Sequence, residues 1–578
     1  MRYQTLQRDR LKGPFYLIGI LMFMVSYQVV SQHSNIRIST GATSRGVWVS
    51  GNYNVYRFTP TADDAVLNVI ELQTLLEGRS SIELNTARTG GNQAGNIIFE
   101  SDLSQPNAKS ISANKLINIV AGGNVQFNAN LTLRQYIYAS DYPGYDLTVT
   151  AGAGVSILGI LDLGGGDNNW AANPGRAGNV NMVIAGDLSI SGQVITKGWN
   201  NLTRPYILSN AAGYNGGAAG SQSYTVIGSV NLGLNANLNS GGGASIGEVS
   251  TTGGNGGAIT INSTGSILLR GSINSSGGSG NYGGSGSAIS IRSSTSWLDV
   301  GSSLNSQGGS NFYKYMTAKS PNGGNISLNG FGGLSIRANI KCLIGTNGFG
   351  TNGSLTLTTE NTTLTSGGIN DGQVAGVLNI GSLIKNGSGN FGIGGTNIIL
   401  EITYLNAGTL TLLRSESIDD NCALFFYGGT FFTNGFTENV ESIYVSQNST
   451  LAFGSGNHSF ISRLSSLSSS TGTLTITGWD GTFPGNPNLL NLDNRGILQS
   501  SSSRFVSKNG VKRSTGGINQ YGQINSVGSS GAAGKFFINT DLSGSDLNLL
   551  KFINKADGSF RYAQQLPVTK EIVPGAAR

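Results

Sequence analysis

The chain has 578 residues, of which 88 are glycine, 38% are hydrophobic and 11% are charged, with a formal net charge of +6. Glycine at this level without a Gly-X-Y period excludes collagen, and this share of alternating apolar residues excludes a disordered chain. The length exceeds what one compact core needs, so an array of repeats is expected in place of several separate domains.

The N-terminus reads as an export signal. Arg2, Arg8, Arg10 and Lys12 precede an apolar stretch over 15–25, and small or polar residues follow over 26–34. A positive segment, a short apolar core and a polar exit mark a secretory signal, and a membrane span would need about 20 apolar residues. Residues 1–32 are assigned to this signal, with cleavage expected near Ser31 and Gln32 and an uncleaved anchor as the alternative. Its removal takes away four positive charges and Asp9, which leaves a net charge of +3. No dense Lys/Arg cluster remains, so no nucleic-acid partner is expected.

Residues 33–144 are read as an N-terminal cap with the first coils. Short apolar runs at 45–49 and 54–58 come first. In ADDAVLNVIELQTLLEGR, Val66, Ile70, Leu72, Leu75 and Leu76 recur near helical spacing and Gly78 follows as a stop. The pattern predicts one short helix over about 70–77, with Asp63 and Asp64 before it. Strand-like runs follow at 81–85, 97–99, 116–120 and 125–133.

From 145 to 400 a glycine-punctuated repeat governs. GGNGGAITINSTGSILLRGSINSSGG (253–278) is followed by GGSGSAISIRSSTSWLDVGSSLNSQGG (283–309) and GGNISLNGFGGLSIRANI (323–340). Ile259 and Ile289 are 30 positions apart, and Ile289 and Ile326 are 37 apart. Each copy carries three short strands whose alternating apolar residues face inward. Glycines between them are expected to supply positive φ and close backbone approach at the bends. Three short strands cannot bury their inner faces alone, so the copies must stack. The fold class predicted is all-β, a right-handed parallel β-helix (β-solenoid) with one short N-terminal helix. At roughly 20–25 residues per coil the mature chain would hold about 20–25 coils.

The extra residues between Ile289 and Ile326 lie in SNFYKYMTAKSPN (310–322), and Phe312, Tyr313, Lys314 and Tyr315 are the candidate ligand contacts. Residues 401–578 are denser in aromatic residues, as in ALFFYGGTFFTNGF (423–436), and read as bulkier coils ending in a cap around GTLTITGWDGTF (472–483). Cys342 and Cys422 are read as separate core residues, since two distant thiols must fall on neighbouring coils to pair.

The segments ADDAVLNVIELQTLLEGRSSIELNTARTGGNQAGNIIF and LINIVAGGNVQFNANLTL resemble secreted β-helices of the filamentous haemagglutinin type. GTLTLLRSESIDDNCALFFYGGTFFTNGFTENVESIYVSQNSTLAFGSGN, GTLTITGWDGTF and the terminal EIVP are similar to bacterial surface proteins with autotransporter-associated β-strand repeats. The resemblance implies an extracellular or surface-displayed protein of a Gram-negative bacterium, an adhesin or structural exoprotein. Cell-surface or matrix glycans are the partners expected. The chain stops at VPGAAR without a terminal β-barrel, so outer-membrane secretion machinery is expected as a further partner. NPNL at 486–489 belongs near the N-terminus in such proteins and is read here as chance.

Catalytic chemistry is sparse. Asp419 and Asp420 are the acidic pair of the C-terminal coils, but the Gly-His-Gly and Arg-x-Lys elements of pectin hydrolases are missing. Solvated turn residues are therefore the expectation for that pair. Two histidines cannot build a His-rich metal site, GGNGGA and GGSGSA lack the Asp of calcium-binding nonapeptides, and no cofactor is expected. Thr-x-Thr strings at 355–359 and 473–477 read as ordinary outward strand residues. Tyr313, Tyr315, Trp170 and Trp199 are aromatics that could stack on sugar rings. The function expected is multivalent display on a rigid rod, without enzymatic activity. A polysaccharide-active lyase or hydrolase with an unrecognised site is the alternative.

Overall fold

The computed structural model describes residues 32–478 and 535–575, apart from 52–54, 79–80, 105–114, 135–143, 167–174, 201–214, 246–250, 313–320, 348, 361–367, 370–377, 395–397, 456–457, 466, 468–470, 554–559 and 568–569. Residues 1–31 of the signal segment expected at 1–32, the NPNL motif and Trp170 lie outside the described residues.

Strands dominate, and their burial alternates residue by residue, as in Ile259–Ser263 and Val155–Ile157. This alternation follows from the opposite pointing of successive side chains, so each strand gives one face to the core. The strands fall into three parallel ladders. The first contains Asp146–Ala151, Val180–Ile184, Gln222–Val226, Ile259–Ser263 and Ile289–Ser293, each paired with the next. A second joins Val155–Ile157, Leu188–Ile190, Val230–Leu232 and Ile267–Leu269. The third joins Ile160–Asp162, Gln193–Ile195, Asn237–Asn239 and Ser272–Asn274.

The repeat read in the sequence is the structural register. Ile259 pairs with Ile289, and Ile289 with Ile326. Repeat length is larger than expected in the glycine-rich region. Asn179 and Ser221, bonded across one repeat, are 42 positions apart, whereas Asn386 and Asn406 further on are only 20 apart.

That shortening has a structural cause. The strand Leu378–Asn386 pairs through Leu378 with Ile340 of the third ladder and through Leu383 with Leu355 of the first. The two ladders therefore fuse, and later repeats carry one long strand, such as Ile398–Leu405 or Glu438–Val445, in place of two. Gly381 marks the junction, where the pairing with the next strand shifts between Ile380 and Ser382.

Of the two roles expected of glycine at the bends, close approach is the one that governs the glycine-rich repeats. Among the described residues the positive-φ glycines are Gly90, Gly95, Gly333, Gly387, Gly408, Gly428, Gly435 and Gly478, and none lies in 253–309. In that stretch the requirement is close approach. A Cβ on Gly254 would lie 1.9 Å from the Gly217 carbonyl oxygen, and one on Gly278 would lie 1.9 Å from that of Gly243. Between the third ladder and the next first strand, the outgoing and returning legs of the chain pack backbone against backbone. Gly254 and Gly257 donate to the carbonyls of Gly243 and Ser240, and Gly284 and Ser287 to those of Gly278 and Ser275. Donors spaced by three are what an extended chain with three residues per turn presents to a neighbour.

The helix spans Val69–Glu77, with the Asn68 side chain accepting from the N–H groups of Ile70 and Glu71. Its buried residues are Val69, Leu72 and Leu76, while Ile70 is 61% exposed. Val66 belongs to the preceding strand, Ala65–Asn68. The buried Tyr145 hydroxyl donates to the Leu76 carbonyl at 2.6 Å and satisfies one of the helix's terminal acceptors. A second, single-turn helix at Gly544–Leu547 adds to the one expected.

The cap expected at 472–483 is displaced. Leu474–Thr477 is a regular second-ladder strand, paired with Ser449–Ala452 on one side and Leu550–Ile553 on the other. The terminal layer is antiparallel and comes later, where Phe560–Gln565 pairs with Leu550–Ile553 and then Ile572–Pro574. At the other end, Gly46–Ser50 pairs antiparallel with Val55–Pro60. Cys342 and Cys422 are separate buried thiols.

Candidate functional site

Turns between the first and second ladders are short, as at 152–154, and so are those between the second and third, as at 158–159. Up to Ser354, length variation therefore concentrates in the stretch from a third-ladder strand to the next first-ladder strand. The candidate contact Phe312 lies on such a stretch and is 51% exposed. Its N–H donates to the Gly280 carbonyl, and the N–H of Asn311 to the Thr346 carbonyl, so the base of the 310–322 excursion is tied to the repeats on both sides. Tyr313, Lys314 and Tyr315 lie outside the described residues.

A second feature escaped the sequence. Tyr404 pairs with Phe425 and Phe425 with Tyr444, which sets three aromatic rings in register on the outward side of three successive strands. Their neighbours Leu405, Leu424, Phe426, Ile443 and Val445 are buried. Ring centroids are 5.3 Å apart for Tyr404 and Phe425 and 4.2 Å for Phe425 and Tyr444, the latter pair only 10° from parallel. Tyr427 flanks the row, 6.3 Å from Phe425. Stacking of this kind occupies ring faces and leaves edges and hydroxyls outward.

An acidic corner forms nearby. Asp419 and Asp420, expected to be simple turn residues, sit in the turn that carries Glu416, itself at φ 54°. Asp419 does serve the turn, accepting from the Asn421 N–H at 2.8 Å. Asp420 instead hydrogen-bonds Glu416. Burial of its carboxyl first, and then the charge of Asp420, push Glu416 up to about 7. Asn439 donates to Glu416 Oε1 at 3.0 Å. Glu438, contributed by the next repeat, is fully buried and accepts from the N–H groups of Ser417 and Ile418 at 2.9 and 3.2 Å. Burial raises its carboxyl well above the ordinary range despite those donors. Such a pair, one carboxyl protonated near neutrality beside another acid, can in principle exchange a proton with a bound molecule.

A third group gathers where the chain leaves the third ladder. Arg134 pairs with Asp162 at 2.5 Å and lies over the Trp199 ring, 5.8 Å from its centroid. Trp199, a candidate sugar platform in the sequence, is half-buried here with a cation beside it. Lys197 is also half-buried in this group.

The remaining ionisable oddities are structural. Lys385 is fully buried and donates to the carbonyls of Asn386, Gly387 and Ala407, and burial brings its ammonium down to about 8. His458 is buried with Nε2 3.0 Å from the Thr433 hydroxyl and its ring against Phe453. Among the described residues, no group of three or more His, Cys, Asp or Glu side chains could hold a metal ion, and no helix is long and apolar enough to cross a membrane.

Compared with known proteins, the chain matches no family, no curated protein and no solved structure.

Proposed function

We propose that the repeats wind as a right-handed parallel β-helix and that the chain is an exported bacterial surface or extracellular protein, an adhesin or structural exoprotein. Its mechanism is multivalent display, in which a stiff stack holds many weak contacts at fixed spacing so that they add through avidity. The observation that carries this reading is the contrast between constant ladder register and variable excursions: Ile259, Ile289 and Ile326 stay in line while the chain between them changes in length. A scaffold that keeps its core and varies one corner is organised for presentation. Replacing 310–322 by a short turn, then measuring attachment of the protein to glycan-coated and cell surfaces, tests it. Attachment should fall while thermal stability is kept; attachment that is unchanged removes that excursion from the reading.

The acidic corner supports a second reading, a polysaccharide-active enzyme in which Glu416 and Asp420 act as an acid and base pair. Turnover on a polysaccharide panel that disappears in Glu416→Gln would establish it. No turnover on any substrate would leave display as the sole reading.

A further inference from the structure

The outward residues of the first ladder form an uncharged column. From Leu116–Ala121 to Ser354–Thr359, each strand places Ser, Thr or Asn at one register position. Asn118 pairs with Thr148, and the line runs on through Thr260, Ser290 and Ser327 to Thr356. Beyond the fusion Thr356 pairs with Ile384 and Ile384 with Tyr404, so the aromatic row continues the same line as far as Tyr444. Strand pairing sets the step along it at about 4.8 Å. The column starts beyond an ion pair: Glu83, in register with Asn118, binds Arg57 at 2.9 Å.

The hydrogen-bonding groups of this column are unspent. Thr148, Thr260, Ser290, Ser327 and Thr356 are half-buried, and among the described residues none of their hydroxyls bonds a protein group. Asparagines of the third ladder differ. There Asn274 Nδ2 donates to Asn239 Oδ1 at 3.0 Å and Asn305 Nδ2 to Asn274 Oδ1 at 3.1 Å, so the amides satisfy one another. Two residues on from the column, Thr225, Asn262 and Arg292 are aligned in the same way. The main chain of these strands is paired on both sides, which closes the sheet to an added strand and leaves recognition to side chains. A line of hydroxyls and amides without charge is complementary to a neutral, hydroxyl-rich polymer, because neither partner gives up charge hydration. One such contact nets little, since it replaces a bond to water, but contacts repeated at a fixed step add.

We propose that this column binds an extended neutral glycan laid along the stack, its hydroxyls meeting one strand after another from Asn118 towards Tyr444. The proposal rests on the display reading and names a ligand for the ladder face, apart from the excursions. Binding of cellohexaose, cellotriose and hexagalacturonate to the full chain is measured by calorimetry, alongside sedimentation of the unliganded protein. Cellohexaose should bind, cellotriose at least about tenfold more weakly, and the acidic hexamer no better than cellotriose. The triple variant Thr260→Val/Ser290→Ala/Ser327→Ala should weaken cellohexaose by at least about tenfold. Ser156→Ala/Ser189→Ala, on the second ladder, should bind like the parent. Thermal melts check folding, and Thr356→Val alone, with an expected loss of about threefold, gives the answer if the triple variant does not fold. No binding, equal affinity for the two neutral lengths, tighter binding of the acid, or equal losses in the two variant sets would overturn the proposal. Self-association of the chain without sugar binding would also overturn it, by assigning the column to a second copy. Cleavage of cellohexaose would count against display alone, because binding is read apart from turnover.

Discussion

The N–H of Gly254 donates to the carbonyl of Gly243 at 2.8 Å, and the Gly254 carbonyl in turn accepts from Gly278 at 2.8 Å. The chain of contacts runs on through Gly284 and Gly309, at 2.8 and 2.7 Å. Each member is buried and sits where a methyl group would overlap another residue's carbonyl. The glycine richness is therefore a packing requirement.

Gly254→Ala should destabilise the protein by at least about 2 kcal/mol, because its Cβ falls 1.9 Å from a backbone oxygen that no rotamer change can move. Gly544→Ala is the control, since a Cβ there meets nothing within 4 Å. Urea midpoints of the two variants compare them directly. Equal midpoints would mean that the legs are free to separate.

Removal of the central ring of the aromatic row, Phe425→Ala, should cost about 1–3 kcal/mol through lost stacking and contact. Paired with Tyr444→Ala, the two losses should be less than additive, since the rings share one contact at 4.2 Å. A double-mutant cycle reads this coupling.

Stability should fall as pH rises from about 4.5 to about 7, in part because Glu416 and Glu438 hold protons in the folded state that they would release when unfolded. The sign follows from linkage: carboxyls raised above their unfolded values favour the folded state at low pH, and that contribution is lost as each ionises. Denaturation midpoints measured at pH 5 and pH 8 should differ less in Glu416→Gln than in the parent. An identical pH dependence in the two proteins would place the protonation elsewhere.

Lys385→Met should destabilise by about 2 kcal/mol or more, since the carbonyls of Asn386, Gly387 and Ala407 lose a shared donor inside the fold. The check is a thermal melt beside Lys385→Arg, which retains a donor and should lose less.

Cys342 and Cys422 should resist thiol reagents in the native protein and react on unfolding. Burial pushes both thiols up to about 12, so the nucleophilic thiolate is scarce at neutral pH. Rapid labelling of either in the folded state would contradict their placement.

Much of the architecture was legible because inward residues recur with a short local pattern. Ile259, Ile261, Ile267, Leu269 and Ile273 declare their strands from alternation alone, and the next copy repeats them 30 or 31 positions on. The helix was legible from its apolar spacing, but its buried face was displaced by a residue or two because Val66 is claimed by a strand. The fusion at Leu378 was hidden, since joining two strands changes partners more than it changes composition. The candidate contacts beyond 310–322 were hidden for a related reason. Glu438 meets Ser417 from 21 positions away, and Ser327 meets Ser290 across the 310–322 excursion. Side chains of that kind become neighbours only once the register is known.

The merger at Leu378–Asn386 also sets where the molecule can be rebuilt. Upstream, a segment spliced between the end of a third-ladder strand and the start of the next first-ladder strand interrupts no ladder pairing, and the repeats of this chain already differ in length at that junction. Downstream, the same junction is the interior of a continuous strand, so cargo inserted beside Gly381 or its later equivalents would break hydrogen bonds on both sides. Grafted epitopes or enzymes should therefore be tolerated before residue 354 and rejected at the corresponding place after 378. The chain carries its own map of permissive and forbidden splice sites.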